Sequence, residues 1–501
     1  MDKKLVILGI DGMDSILVEK FINDMPVFAN NKRLSPRYKF KSIFPPDSTP
    51  AWASFYLGLN PAMHGIINFV NPGDKAGKIK IENIRDEVFK GKTFWDIAGK
   101  NGISSIILLP LNIYPGWEIN GTMICRPQRI RSKKDGLLFN PNYNNEEIPL
   151  LEELYLLDDY IALKDLSYLE DLCKKRLIAE AKLAATMLRK SDWNIFFIYF
   201  SSLDGIQHYF WNYYDETHPK YPGKTGYEDV IKSFYILMDN IVGEILDIIG
   251  KDVPIVILSD HGHGARPTTI VNINEILKQA GYLVSFNKSH AISRPFYNTK
   301  IIKKILISYI KRFGINDIVM RIAKKFPIWK KIFTSPAAIN WNETKAYVTD
   351  LSAIKSYSYG GIRINEEIVQ KEEKDSIIKE IIELMVGLKD PRTSKKIAKT
   401  VIRREELYKG HYIYKYPEII LELDDQYGIG WDINGPIFDY GYFHNIQPGC
   451  HKRESPILYT LNLETNNSSE ISLMDFAPTI LKYFKIEMDY SYFSGRSFLN
   501  K

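Results

Sequence analysis

Carboxylates and imidazoles stand at the ends of apolar runs in this chain, at places far apart in sequence. Val253–Leu258 is apolar and stops at Ser259-Asp260-His261-Gly262-His263-Gly264. Lys4–Ile10 stops at Asp11-Gly12, and Asn194–Phe200 runs through Ser201-Ser202-Leu203 to Asp204, with His208 four residues on. A late histidine, His451, stands just ahead of another apolar stretch, Pro456–Leu463. Imidazole nitrogens and carboxylate oxygens are the donor set of Zn²⁺ and Mn²⁺. Asp11, Asp204, His208, Asp260, His261 and His451 are too many ligands for one tetrahedral ion and about right for two. Two divalent ions about 4 Å apart form a clamp for in-line displacement at phosphorus.

Such a site wants a hydroxyl nucleophile, and Ser48 and Thr49 offer one ahead of an expected helix at Trp52–Leu59. A metal ion ionises a hydroxyl beside it, and a helix N-terminus favours the negative charge that develops. Both residue types are also ordinary helix caps.

The elements that must position these residues follow from the pattern. Short, fully apolar runs bounded by glycine read as buried strands of a parallel sheet, and ligands bind just past the carboxyl ends of such strands. Residues 1–290 alternate these runs with amphipathic stretches, the βαβ pattern of a sheet covered by helices on both faces. Helices are expected at Ser15–Asn23, Thr93–Asn101, Tyr227–Ile249 and over most of Leu150–Arg189. The fold class is therefore α/β, a three-layer α/β/α sandwich with a mostly parallel central sheet and a helical insertion. The expected organisation is a core over 1–290, a basic helical insertion or lid over 291–344, and the remainder of the core over 345–501. Strands are expected at Lys345–Thr349, Gly361–Ile364 and Glu418–Leu423, and helices at Glu366–Leu388 and Leu473–Phe484.

The net charge of +6 is concentrated: Lys300–Lys331 holds ten basic residues against Asp317 alone, so the rest of the chain is acidic. That segment reads as a solvated basic face, or as a surface for an anionic substrate or lipid headgroups. No nucleic acid is expected as a partner, and the oligomeric state is left open. The 45% hydrophobic and 25% charged composition is that of an ordinary globular protein, which argues against a disordered or fibrous chain. No apolar run approaches the roughly eighteen residues needed to span a bilayer. The start, Met1-Asp2-Lys3-Lys4, leads into a strand-length run rather than a signal peptide. Three cysteines in 501 residues argue for a reducing compartment, so a cytoplasmic location is expected.

As a set, these motifs resemble the alkaline phosphatase superfamily, in particular its type I phosphodiesterase/nucleotide pyrophosphatase family. The resemblance covers most of the chain: ILGIDGMD, PPDSTPAWASFYLGLNPAMHGI, SSLDGIQH, LSDHGHG, PGCHKRESPILYT, MDFAPTILKYF and SGRSFL. It implies two divalent ions, Zn²⁺ first and Mn²⁺ second. Asp204, His208 and His451 would hold one, and Asp11, Asp260, His261 and the nucleophile oxygen the other. The family's (Ser/Thr)-x-Pro pattern selects Ser48 by way of Pro50, with Thr49 as runner-up, and implies a covalent phospho-enzyme intermediate. His451, in the matching Gly-x-His, is preferred to His444. His263 is expected behind the ligands or in the loop, and His64 as a loop-fixing hydrogen-bond partner.

The chain departs from the family in one place. Phe69 stands where nucleotide pyrophosphatases carry a phosphate-holding asparagine, with Asn68 or Asn71 as replacements. Cys125-Arg126-Pro127-Gln128-Arg129 matches the sulfatase core Cys-x-Pro-x-Arg, but far downstream of the nucleophile position, and is read as chance. The expected activity is metal-dependent hydrolysis of phosphate esters, above all phosphodiesters or nucleotide-type pyrophosphates. The alternatives are a phosphotransferase or phosphomonoesterase of the same superfamily, and a non-catalytic lipid-surface binding protein.

Overall fold

Every residue of Leu5–Ile10 is buried, and its side chains divide between two hydrophobic cores. Such alternation places apolar groups on both faces of a strand and requires cover on both. The structure, a computed structural model, describes residues 3–30, 35–36, 39–67, 88–126, 165–190, 192–286, 339–349, 356–441, 447–466 and 470–500. They group into two compact units, one of Met1–Ile66, Asn83–Ala265 and Gln447–Lys501, the other of Ile67–Glu82 and Arg266–Ile446. Residues 287–338, which include the basic segment at 300–331, lie outside the described residues, as do Asn68, Phe69, Asn71, Pro127–Arg129, His290 and His444.

The first unit is built on strands β1 (Leu5–Ile10), β2 (Ser35–Pro36), β3 (Ser105–Leu108), β4 (Gly121–Ile124), β5 (Ile195–Phe200) and β6 (Ile255–Leu258). A short pair, β7 (Gly262–Ala265) and β8 (Gly449–Lys452), stands beside the sheet, and β9 (Leu458–Leu461) completes it. The sheet order is β2-β9-β6-β1-β5-β3-β4. β6, β1, β5, β3 and β4 are parallel, while β9 and β2 add antiparallel at one edge.

Its helices include α1 (Ser15–Phe21), α2 (Ser48–Leu57), α3 (Leu166–Lys190), α4 (Ser202–Tyr214), α5 (Val230–Ile249) and α6 (Phe476–Tyr483). Val6, Leu8 and Ile10 pack with Val18 of α1, Leu177 of α3, Phe210 of α4 and Met238 of α5. Leu5 and Ile7 pack on the other face with Trp52 and Phe55 of α2 and Ile480 of α6. Burying side chains of this size stabilises by about 1.5–3 kcal/mol each. The outcome is the expected three-layer sandwich. α2 starts at Ser48 rather than at Trp52, because the Asp47 side chain accepts from Thr49 N at the helix start. Pro50 is tolerated there, since N–H groups of the first turn have no helical partner to lose.

The second unit holds an antiparallel sheet in the order Ala346–Thr349, Tyr359–Ile364, Ile419–Leu423, Ala398–Arg403. The helix Lys371–Val386 supplies Ile377, Ile378 and Ile381 to a core shared with Ile362 and Leu421. Among the described residues no helix is long and apolar enough to cross a membrane.

Candidate metal centre

Three neighbouring parallel strands, β6, β1 and β5, end at one edge of the sheet, and each carries a carboxylate just beyond its end. Asp11 follows β1, and its N–H donates to the Phe200 carbonyl of β5 at 2.9 Å. Gly12 then turns the chain with φ of +67°, a region that costs side chains dearly, and a Cβ here would lie 3.1 Å from Asp204 Oδ1. Its N–H donates to Asp260 Oδ1 at 3.2 Å. Asp204 and His208 share a face of α4, one turn apart.

Asp260 and His261 follow β6, where Ser259 fastens the turn by donating to the Met13 carbonyl at 2.7 Å and accepting from Ile457 N at 2.8 Å. β7 and β8 then set His263 directly opposite His451. Gly449, two residues before His451, stands so close to α4 that a Cβ would meet the Gln207 carbonyl and lie 2.6 Å from His263 Cε1.

The imidazoles are oriented from behind. His208 Nδ1 lies 3.1 Å from the Gly449 carbonyl oxygen, His261 Nδ1 3.0 Å from that of Gly262 and His451 Nδ1 2.9 Å from that of Pro46. A carbonyl only accepts, so each Nδ1 carries the proton and each Nε2 presents a lone pair. Those lone pairs converge. His208 Nε2 and His451 Nε2 are 3.0 Å apart, and both lie 3.4 Å from Asp204 Oδ1.

Beside them, Ser48 Oγ is 3.1 Å from His261 Nε2 and 3.3 Å from Asp11 Oδ1. His261 Nε2 is 3.5 Å from Asp11 Oδ1 and 3.3 Å from Asp260 Oδ2. A tetrahedron with 2.0–2.1 Å metal bonds has edges of about 3.3 Å, which these separations match. Asp204 Oδ1 and Asp260 Oδ2 are buried and accept no well-formed hydrogen bond among the described residues. Converging lone pairs and bare carboxylate oxygens are a donor set that a cation satisfies. Asp204 also has a carboxylate oxygen within 4.8 Å of ligand atoms of Asp11 and His261, so it stands between the two sets rather than in the first alone.

The electrostatics agree. Burial, then repulsion from Asp260 and Asp204, holds Asp11 well above the usual carboxylate range. Burial, with Asp204 adding to it, pushes Asp260 up to about 7. Burial alone would raise Asp204 as well, but the imidazoles of His208, His263 and His451 outweigh it and hold it well below. Burial, then His261, keeps His451 neutral by lowering it far below the ordinary histidine range. Without compensating cations, this crowd of carboxylates resists full ionisation.

The structure therefore brings Asp11, Ser48, Asp204, His208, Asp260, His261 and His451 together. Thr49 shares no hydrogen bond with them: its side chain is fully buried and Oγ1 makes no hydrogen bond among the described residues. His64 bonds Ser54 Oγ at 3.0 Å and accepts from Ile66 N at 3.1 Å, a loop fastener. His263 lies in β7 with Nε2 3.5 Å from Asp204 Oδ1, its ring stacked on Trp211. His218 accepts from Lys220 N, and His411 is exposed.

Sequence reasoning missed two residues. Tyr199 donates its hydroxyl to Asp11 Oδ2, leaving Oδ1 for the cluster. It carries the one side-chain hydroxyl in the buried run Ile195–Phe200, the only signal available. Asp14 caps α1 through Ile16 N and Leu17 N, and its other oxygen accepts from His263 N at 3.0 Å and from the Ser455 hydroxyl. Its repetition of Asp11 in Asp-Gly-Met-Asp was the hint.

Solved structures with this fold include phosphonoacetate hydrolase from Sinorhizobium meliloti 1021 in complex with phosphonoformate. That match has TM-score 0.57 at 14% identity and covers 95% of this chain and 94% of that one. The same hydrolase in complex with phosphonoacetate matches with TM-score 0.55 at 14% identity, over 95% and 94% of the two chains. Murine ectonucleotide pyrophosphatase/phosphodiesterase 5 in complex with AMP matches with TM-score 0.48 at 12% identity, over 97% and 96%. No curated protein matches the chain. The family pattern described as type I phosphodiesterase / nucleotide pyrophosphatase spans residues 5–442, so the chain belongs to that family of metal-dependent phosphoric ester hydrolases.

Proposed function

We propose that the protein hydrolyses phosphodiesters or nucleotide-type pyrophosphates through a covalent intermediate on Ser48. The observation that carries this reading is the place of Ser48 Oγ, at the first residue of α2 and within 3.3 Å of both Asp11 Oδ1 and His261 Nε2. Two divalent ions held by the two ligand sets would ionise the hydroxyl and draw charge from the phosphoryl oxygens. Zn²⁺ fits the mixed nitrogen and oxygen donors best, with Mn²⁺ second.

Ser48 Oγ, its proton released to solvent, forms a bond to phosphorus as the bond to the leaving oxygen breaks in line, and that oxygen departs to take up a proton from water. A water then attacks the phosphorus of the serine-bound ester, the Oγ–P bond breaks, the phosphate monoester leaves, and Ser48 Oγ regains a proton. Tyr199 holds Asp11 in place throughout by its hydrogen bond. At the start of α2 the Thr49 N–H is taken by the Asp47 side chain, Pro50 carries none and Ala51 N donates to the Asp47 carbonyl, so charge on the phosphoryl oxygens is left to the metal ions. All three cysteines are buried, and so few of them in 501 residues support a reducing compartment such as the cytoplasm.

The test is hydrolysis of bis-p-nitrophenyl phosphate against p-nitrophenyl phosphate, with acid quenching to trap the serine-bound p-nitrophenyl phosphate for mass spectrometry. Preference for the diester with label on Ser48 supports the reading. Preference for the monoester would replace it with a phosphomonoesterase or phosphotransferase, and label on another residue would remove Ser48 as the nucleophile.

A further inference from the structure

The metal-ligand candidates sit on separate segments, and one buried polar chain beneath them ties those segments together. Gln207 precedes His208 and follows Asp204 by three residues, within one turn of α4. Its side-chain amide donates to the Gly12 carbonyl at 2.7 Å, and Gly12 N–H donates to Asp260 Oδ1 at 3.2 Å. On the acceptor side, Gln207 Oε1 takes the proton of Tyr235 from α5 at 2.9 Å. The same Tyr235 oxygen accepts from Asp14 N at 2.9 Å, and Asp14 receives the His263 N–H and the Ser455 hydroxyl. Gln207 and Tyr235 are both wholly buried.

We propose that Gln207 and Tyr235 form a positioning pair that sets the spacing between the two metal-ligand sets. The inference rests on the two-metal reading above. Apolar side chains of the same volume would fill this space but leave the Gly12 carbonyl and the Asp14 N–H without these partners, so packing alone does not explain the pair. Geometry does. An amide donates to a carbonyl and accepts from a phenol at the same time. Any shift of α4 moves Asp204 and His208 together, and the Gln207–Gly12 bond holds that movement against Asp11. Tyr235 clamps Gln207 from behind and carries the same restraint to Asp14, and so to the strand bearing His263. Neither residue meets substrate. Both act by holding ligands at distances a cation accepts.

The test uses full-length protein stripped of metal and titrated calorimetrically with Zn²⁺ alone, together with kcat and KM on bis-p-nitrophenyl phosphate after loading. Variants are Tyr235→Phe, Gln207→Met and the double substitution. All are expected to take up two Zn²⁺ like the wild type, with affinity lower by about 10-fold or more, the size seen for residues behind metal ligands. kcat should fall at unchanged KM, and the double variant should be little worse than either single one, because the pair acts as a unit. Should Gln207→Met fail to fold, Gln207→Glu keeps an acceptor for Tyr235 but has no donor for Gly12, and is expected to lose Zn²⁺ affinity to the same degree. Zn²⁺ affinities within twofold of wild type, with only a lowered Tm, would overturn the proposal, and so would strictly additive losses. A wild type that binds no Zn²⁺ overturns the two-metal reading and this inference with it, whereas a normal wild type beside indifferent variants overturns this inference alone.

Discussion

Nε2 of His208 and Nε2 of His451 face each other across 3.0 Å, and each ring is turned there by a hydrogen bond from Nδ1 to a backbone carbonyl. Two lone pairs so placed repel unless a cation lies between them. Chelation is therefore expected to abolish activity and lower Tm, and added Zn²⁺ to restore both. His451→Ala should cut bound metal from two equivalents to one by elemental analysis; retention of both would remove His451 from the ligand set.

Ser48 and Thr49 separate cleanly by experiment. Ser48→Ala should reduce kcat by a factor on the order of 10⁴ or more, as loss of a nucleophile does. Thr49→Val removes a buried hydroxyl that makes no hydrogen bond among the described residues. Its activity should stay within about twofold, with stability unchanged or up by about 1 kcal/mol. The reverse pattern in a paired kcat and thermal-melt measurement would make Thr49 the nucleophile.

The carboxylates give the metal-free protein a pH dependence of definite sign. Asp260 is pushed up to about 7 by burial and by Asp204, so the folded protein holds a proton that the unfolded chain releases at ordinary carboxylate pH. Its stabilising contribution is complete below the unfolded value near about 4 and is lost as pH rises through about 7. Metal-free protein should melt at lower temperature at pH 8 than at pH 6. Metal displaces that proton, so apparent Zn²⁺ affinity should rise over the same interval. A melting temperature that climbs with pH in the stripped protein would contradict the assignment.

Gly449 tests the approach of β8 to α4. A methyl group there collides with the Gln207 carbonyl and the His263 ring. Gly449→Ala is expected to cost about 1–3 kcal/mol, the scale of overpacking, and to weaken Zn²⁺ binding by displacing His451. Chemical denaturation and metal titration together check this; a stable variant with normal metal affinity would show that the two elements can separate without consequence.

The layers of the fold were legible because they depend on local pattern. Apolar runs such as Asn194–Phe200 and Val253–Leu258 lie close to the strands Ile195–Phe200 and Ile255–Leu258, since a strand buried on both faces must be apolar throughout. The start of α2 was misplaced because Asp47, a side chain outside the apolar pattern, sets it. Asp204 and His208 were readable as a pair from one helical turn, whereas Tyr199 and Asp14 were not, since their partners lie far away in sequence.

By itself the sequence determined which ligand types exist and that they follow buried strands, because burial pattern and residue chemistry are local properties of the chain. Only the tertiary structure decided which lone pairs converge, that Ser48 rather than Thr49 faces them, and that Gln207 and Tyr235 bind the ligand segments to one another. Those outcomes depend on strand order and on hydrogen bonds between residues as much as 441 positions apart, as from Ser455 to Asp14, and no local spacing encodes such a distance.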